Sequence, residues 1–112
     1  TRLEHGKDSA SPRYIFTNLS ELAFHIFNPL DNPLLEYNED DGNKIEPIWY
    51  IPIVPVILIN GTEGIGTGFS TKVPCHNPEE IVNNIYSLMD DKPLKQMKPW
   101  FRGFQGKIDF KK

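Results

Sequence analysis

Apolar positions recur at helical spacing in two stretches of the chain and run continuously or in short extended blocks between them. Leu19, Leu22, Ala23, Ile26 and Phe27 give one apolar face, with Thr17 or Asn18 as N-cap and Glu21 as the reciprocal partner of Asn18. Asn28-Pro29 ends that helix. A second helix opens at Pro78-Glu79-Glu80 with Asn77 as N-cap and acidic residues in its first turn. It runs to about Met89 and presents Ile81, Val82, Ile85, Leu88 and Met89 as its buried face. Between the helices, Leu34–Tyr37 and Lys44–Ile51 flank the acidic, glycine-containing connection Asn38–Asn43, which predicts a β-hairpin. Val54–Ile59 reads as a buried strand, with Pro47, Pro52 and Pro55 at edges or bulges because proline cannot donate to a ladder. Asn60–Gly68, with four glycines, reads as a loop. Residues 1–14 read as loop and short strand, and Pro99–Ile108 as irregular chain leading into a strand. The expected class is α+β.

Composition changes that picture in one respect. The 112 residues are 38% hydrophobic, below the usual ~45–50% apolar. The chain opens on Thr1 without an initiator Met and stops on Phe110-Lys111-Lys112 with no closing element. It is therefore expected to be an internal fragment of a larger protein, packing against missing neighbours and not stable alone. The single Cys75 excludes an internal disulfide, and the longest apolar run, Ile48–Ile59, contains two prolines and is too short to span a bilayer. A reducing, intracellular compartment is the default expectation.

Charge matters through its distribution. The net −3 argues against nucleic acid, yet residues 21–50 carry a local −6 while residues 92–112 carry seven cations against Asp109, a local +6. A phosphate-binding face could combine that basic end with Arg2, Lys7 and Arg13; ordinary solvated charge is the plain alternative.

Candidate chemistry concentrates in Lys7-Asp8-Ser9-Ala10-Ser11-Pro12-Arg13-Tyr14-Ile15-Phe16-Thr17. A tyrosine is a poor nucleophile as the free phenol, whose pKa lies near 10. A neighbouring guanidinium stabilises negative charge on the phenolate, on an attacked phosphate, or on both. That is the chemistry of attack on a phosphodiester with covalent retention of the strand. An isolated Arg-Tyr pair is weak evidence, since most are a half-buried Tyr beside a solvated Arg. His25 reads as core edge or solvent. The acidic cluster lacks Ca²⁺-loop spacing and reads as a solvated turn. Gly64-Ile65-Gly66-Thr67-Gly68 lacks the Gly-Lys-Ser/Thr ending of a phosphate loop and the spacing of a dinucleotide fingerprint. It offers a loop of close approach with Ile65 at its tip, suited to a wedge between base pairs. The plain alternative is a glycine-rich turn with Ile65 plugging the local core.

Taken together, Lys7–Thr17, then Glu46-Pro47-Ile48-Trp49-Tyr50-Ile51-Pro52-Ile53-Val54-Pro55, then Leu58–Gly68 closely resemble eukaryotic type IIA DNA topoisomerase over essentially all 112 residues. Bacterial gyrase and topoisomerase IV A subunits share the Arg-Tyr and Asn-Gly…Gly-Ile…Gly elements without the Pro-Arg-Tyr-Ile-Phe-Thr and Trp-Tyr-Ile-Pro wording. The resemblance implies that residues 1–28 end a winged-helix DNA-gate domain and that residues 29–112 begin a β-rich tower domain. It implies that Tyr14 is the nucleophile linked to the 5′ end of the cut strand, that Arg13 assists at the phosphate, and that Ile65 inserts between base pairs. It places Lys7 and Arg2 along the DNA backbone. It further implies duplex DNA as partner, a nuclear homodimer, and Mg²⁺ and ATP bound outside this stretch. The alternatives are a DNA-bending module without chemistry or a bacterial-type A subunit. The sequence departs from the family at His5, where Gly is usual, and at Pro74-Cys75-His76-Asn77, which reads more like the bacterial version.

Overall fold

The longest regular element, α3 (Pro78–Met89), shows why the local sequence folds as it does. The Asn77 side chain accepts a hydrogen bond from the Glu79 amide at 2.9 Å, Pro78 fills a position whose N–H has no helical partner, and Glu79 and Glu80 sit at the positive end of the helix dipole. The computed structural model describes residue 4 and residues 6–110. Among these, Ile81 on α3 is the one fully buried residue, 2% exposed. Val82 and Ile85 are half-buried, whereas Leu88 and Met89 are exposed, so the expected apolar face is covered only over its first two turns.

The other elements are short. Helix α1 spans Glu21–Ile26, helix α2 Val56–Asn60, and the strands pair as two antiparallel hairpins. The first joins β1 (Tyr37–Asp40) to β2 (Asn43–Pro47), and the second joins β3 (Thr62–Gly66) to β4 (Phe69–Val73). The chain is α+β. Single 3₁₀ segments cover Pro12–Tyr14 and Pro29–Leu34.

Several expectations need correction. The N-cap of α1 is Ser20, not Thr17 or Asn18, and it makes no side-chain cap bond, so the Asn18–Glu21 pairing does not form and Leu19 lies outside. A helix of six residues is too short for propensity alone to hold it. The Ile53 amide bonded to the Ile26 carbonyl at 2.8 Å and an edge-on Phe27–Tyr50 ring contact at 5.7 Å hold the end of α1 against the chain around residue 50.

Leu34 ends a 3₁₀ helix instead of opening a strand, and β2 runs only to Pro47, beyond which the Ile48 amide makes one more bond across the hairpin, to the Glu36 carbonyl at 2.8 Å. The Asp41-Gly42 turn has both φ values positive, +48° and +78°, the geometry that favours Asp-Gly in a two-residue hairpin.

Val56–Asn60 is a helix where a strand was expected. A short apolar run does not distinguish the two by periodicity, and Pro55 is compatible with a helix start. Helix α2 packs near α3. The predicted glycine loop is the hairpin β3–β4. The strand expected near Ile108 is absent among the described residues.

The radius of gyration is 17.8 Å, against about 13 Å for a compact domain of this length. Large apolar side chains remain uncovered, Phe16 and Leu30 among them. Among the described residues no helix is long and apolar enough to cross a membrane.

Candidate nucleic-acid interface

The stretch leading to Tyr14 is built from consecutive turns. The Lys7 amide bonds to the Glu4 carbonyl at 3.0 Å and the Ser9 amide to Gly6 at 3.1 Å, with Gly6 at φ +75°. Pro12 then starts a 3₁₀ turn with its φ already set, and the amides of Tyr14 and Ile15 close it on Ser11 and Pro12 at 2.9 and 3.1 Å. Within this turn the Arg13 guanidinium carbon lies 4.9 Å from the centroid of the Tyr14 ring. That distance is a cation–π contact. Tyr14 is 69% exposed, and its hydroxyl has no hydrogen-bond partner among the described residues. A permanent cation therefore sits against an accessible phenol. Lys7 is exposed in the preceding turn. Arg2 and His5 lie outside the described residues.

Ile65 sits on a different kind of scaffold. In β3–β4 it pairs with Ser70, and Glu63 pairs with Lys72. Side chains alternate along a strand, so Glu63, Ile65, Ser70 and Lys72 share one face of the ribbon, while Gly64, Gly66, Phe69 and Thr71 share the other. The turn is only Thr67-Gly68, with Gly68 at φ +77°. Ile65 is 92% exposed, so it does not plug a local core. The loop expected from the glycines is thus a paired ribbon with Ile65 one residue from its closing Gly66–Phe69 pair. Phe69, 83% exposed beside the turn, belongs to none of the motifs picked out from the sequence. The alternation Phe69-Ser70-Thr71-Lys72-Val73 is the signal that points to it.

Gly64 and Gly66 lie in extended, paired strands and not in the turn of consecutive amides that cradles a nucleotide phosphate. Among the described residues no group of three or more His, Cys, Asp or Glu could hold a metal ion.

Arg13 and Tyr14 are in contact, whereas no hydrogen bond or ring contact joins them to Ile65 among the described residues. An open groove of about 740 Å³ is lined by Gly6 and, from the base of the hairpin, by Gly61, Glu63, Lys72 and Cys75, with Phe101; neither Tyr14 nor Ile65 lines it. Beyond it, the basic end keeps Lys95, Lys98 and Arg102 exposed, while Lys92 and Lys107 pair with Asp90 and Asp109 at 3.5 and 3.4 Å.

Known proteins are similar to this chain in sequence and in fold. The family model for the A subunit of DNA gyrase/topoisomerase IV matches residues 1–112. The chain is similar to DNA topoisomerase 2 of Drosophila melanogaster, 52% identical over 98% of the chain and 8% of that protein. It is 56% identical to DNA topoisomerase 2 of Penicillium chrysogenum over 96% of the chain and 7% of the relative. It therefore spans less than a tenth of the length of these relatives. Its fold matches part of the crystal structure of the Plasmodium falciparum topoisomerase II DNA-binding, cleavage and re-ligation domain. The TM-score is 0.78 at 47% identity, covering 96% of this chain and 15% of that one. Matched along its whole length and half identical to these eukaryotic proteins, the chain belongs to the type IIA DNA topoisomerase family.

Proposed function

We propose that this chain is part of an ATP-dependent type II DNA topoisomerase of the eukaryotic kind, contributing the covalent nucleophile and a DNA-bending wedge. The observation that carries the reading is the Arg13 guanidinium against the accessible Tyr14 ring at 4.9 Å, in a chain that belongs to this family.

In this reading the Tyr14 phenolic oxygen attacks a backbone phosphorus of duplex DNA. The O–P bond to tyrosine forms as the P–O3′ bond breaks, and the departing 3′ oxygen leaves as a hydroxyl once protonated. One phosphodiester is exchanged for one phosphotyrosine, so the reverse attack by the 3′ hydroxyl reseals the strand without fuel. Arg13 lies close enough to its neighbour to neutralise charge on both the phenolate and the attacked phosphate. Lys7, in the turn before, and Arg2 follow the DNA backbone. Ile65 enters between base pairs and kinks the duplex.

A homodimer supplies a second tyrosine for the opposite strand, and passage of another duplex through the break relaxes or decatenates DNA in the nucleus. Residues 1–28 end the winged-helix part of the gate, and residues 29–112 begin the tower. Mg²⁺ and ATP are held by parts of the protein beyond this chain, so the chain alone is inactive.

The test is trapping with denaturant. In the full-length protein, Tyr14→Phe is expected to abolish the denaturant-resistant protein–DNA adduct, by at least about 10⁴-fold as for loss of other enzymatic nucleophiles, with noncovalent binding largely intact. An adduct that persists in Tyr14→Phe sinks the assignment.

A further inference from the structure

We propose that Gly61 is a positioning residue for Ile65, the point at which helix α2 aims the hairpin; this rests on the wedge reading of Ile65 above. Gly61 has φ +70° and ψ 171°, a region that essentially only glycine occupies. Its surroundings close the position a second time. A Cβ there would lie 2.7 Å from the Val73 carbonyl oxygen, 3.1 Å from the Cys75 amide nitrogen and 3.2 Å from the Cys75 sulfur. Two of those three neighbours are backbone and cannot rotate away. The other glycines of the ribbon differ: a Cβ on Gly64 or Gly68 would meet nothing within 4 Å, and on Gly66 only an ordinary contact at 3.8 Å.

The bonds around Gly61 form a clamp on both ends of the ribbon. At its entry, the Gly61 amide bonds to the Ile57 carbonyl of α2 at 3.0 Å. At its exit, the Cys75 thiol donates to the Asn60 carbonyl at 3.1 Å, and the His76 amide donates to Leu58 at 2.8 Å. The Trp100 amide bonds to the Cys75 carbonyl at 2.8 Å, tying the exit to the following chain. Both strands therefore leave one rigid base, while the ribbon is exposed from Thr62 to Lys72.

The lever makes the base consequential. Ile65 lies four residues beyond Gly61, a reach of about 13 Å at ~3.3 Å per extended residue. A swing of about 20° at the base would shift the side chain by roughly 4 Å. That exceeds the ~3.4 Å between successive nucleotides on a strand. An Ile misplaced by one base step meets a stacked pair instead of the gap it opens.

The experiment uses the full-length protein on a duplex carrying donor and acceptor dyes, reading bending by energy transfer and cleavage by the denaturant-resistant adduct. Gly61→Ala is expected to lower the bent population about tenfold, the scale of forcing a side chain into this backbone region. Adduct yield should fall with it on continuous duplex and return on a duplex already kinked by a two-nucleotide bulge, which no loss of folding would allow.

Ile65→Ala is run beside it. If that variant bends DNA normally, the wedge reading falls and takes this proposal with it. If Ile65→Ala impairs bending and Gly61→Ala does not, the wedge stands and the positioning role is overturned.

Should Gly61→Ala fail to fold, Cys75→Ala removes only the thiol donor from the clamp. A loss of bending of about twofold to threefold, restored on the bulged duplex, supports the proposal, and normal bending by Cys75→Ala overturns it.

Discussion

The turn at Arg13–Tyr14 and the hairpin at Ile65 are both solvent-facing, yet they are held in different ways. Among the described residues, the bonds that shape the tyrosine turn are local: Tyr14 to Ser11, Ile15 to Pro12, and the Arg13 cation on its neighbour's ring. The hairpin also makes its own ladder, but its direction is set by residues far along the chain, Leu58 to His76 and Asn60 to Cys75, and by Trp100 beyond them. A local turn carries its geometry wherever the chain places it. A clamped lever does not, and its tip depends on a base about 13 Å away. The difference predicts that the chemistry and the bending can be damaged separately.

After loss of the nucleophile itself, the largest effect expected is at Arg13. On the proposed function, replacing it with Ala removes a charge whose hold strengthens as the phosphate reacts, and loss of one such group costs about 10²–10³ in rate. Cleavage rates of full-length Arg13→Ala should fall by that factor while energy-transfer bending stays near normal. Arg13→Lys should recover little, because a compact ammonium cannot fork onto a phosphate with two parallel N–H donors. Equal loss of bending and cleavage would break the separation.

Ile65→Ala tests the other side. Removing most of an apolar side chain that is buried only when inserted forfeits about 1.5–3 kcal/mol, or roughly 10–100-fold in the bent population. Cleavage should remain possible, and most of its loss should be recovered on a bulged duplex. Bending that is unchanged in the energy-transfer assay would remove Ile65 from the wedge role.

These contrasts also explain what could be read from the sequence. Helix α3 was legible because its signals are local and agree: Asn77, Pro78, two acidic residues and a 3.6-residue repeat. The acidic hairpin was legible for the same reason, through Asp41-Gly42, but its first strand, Tyr37–Asp40, lies three residues later than the pattern implies, running into the expected connection, and its second, Asn43–Pro47, stops short of Ile51. Val56–Asn60 was not. Its apolar run is compatible with either helix or strand, and the bonds from Gly61 and His76 back onto Ile57 and Leu58 are invisible without the fold. The glycines of 61–68 were read as one loop because each is a turn signal alone. Gly64 and Gly66 instead lie extended in a ladder, and only Gly61 and Gly68 use the backbone freedom. Tyr14 stood out from its motif, whereas the ring-to-guanidinium contact needed the turn.

The open apolar surface follows the same logic. One fully buried residue among those described, with a 17.8 Å radius of gyration, is not a domain core. Phe16, Leu22, Phe24 and Leu30 lie uncovered on or beside the first helix, a surface of the kind that marks contact with other parts of a protein. Spanning under a tenth of its relatives, the chain has ample neighbouring sequence in those proteins to supply the cover.

The smallest effect expected concerns α3, the element least dependent on that cover. Asn77→Ala removes the oxygen that accepts the Glu79 amide at 2.9 Å, which costs about 1 kcal/mol at an N-cap. Asn77 follows His76 directly, and the amide of His76 is among the bonds holding the ribbon's exit to α2. Fraying of the first turn of α3 therefore reaches the clamp, though only through one neighbour. Hydrogen exchange of the full-length protein should show faster exchange at the amides of residues 79–81, by about fivefold for 1 kcal/mol of local opening. The Ile65 ribbon should change little and bending should remain within about twofold. Bending lost as severely as in Gly61→Ala would mean that α3, and not the glycine, aims the wedge.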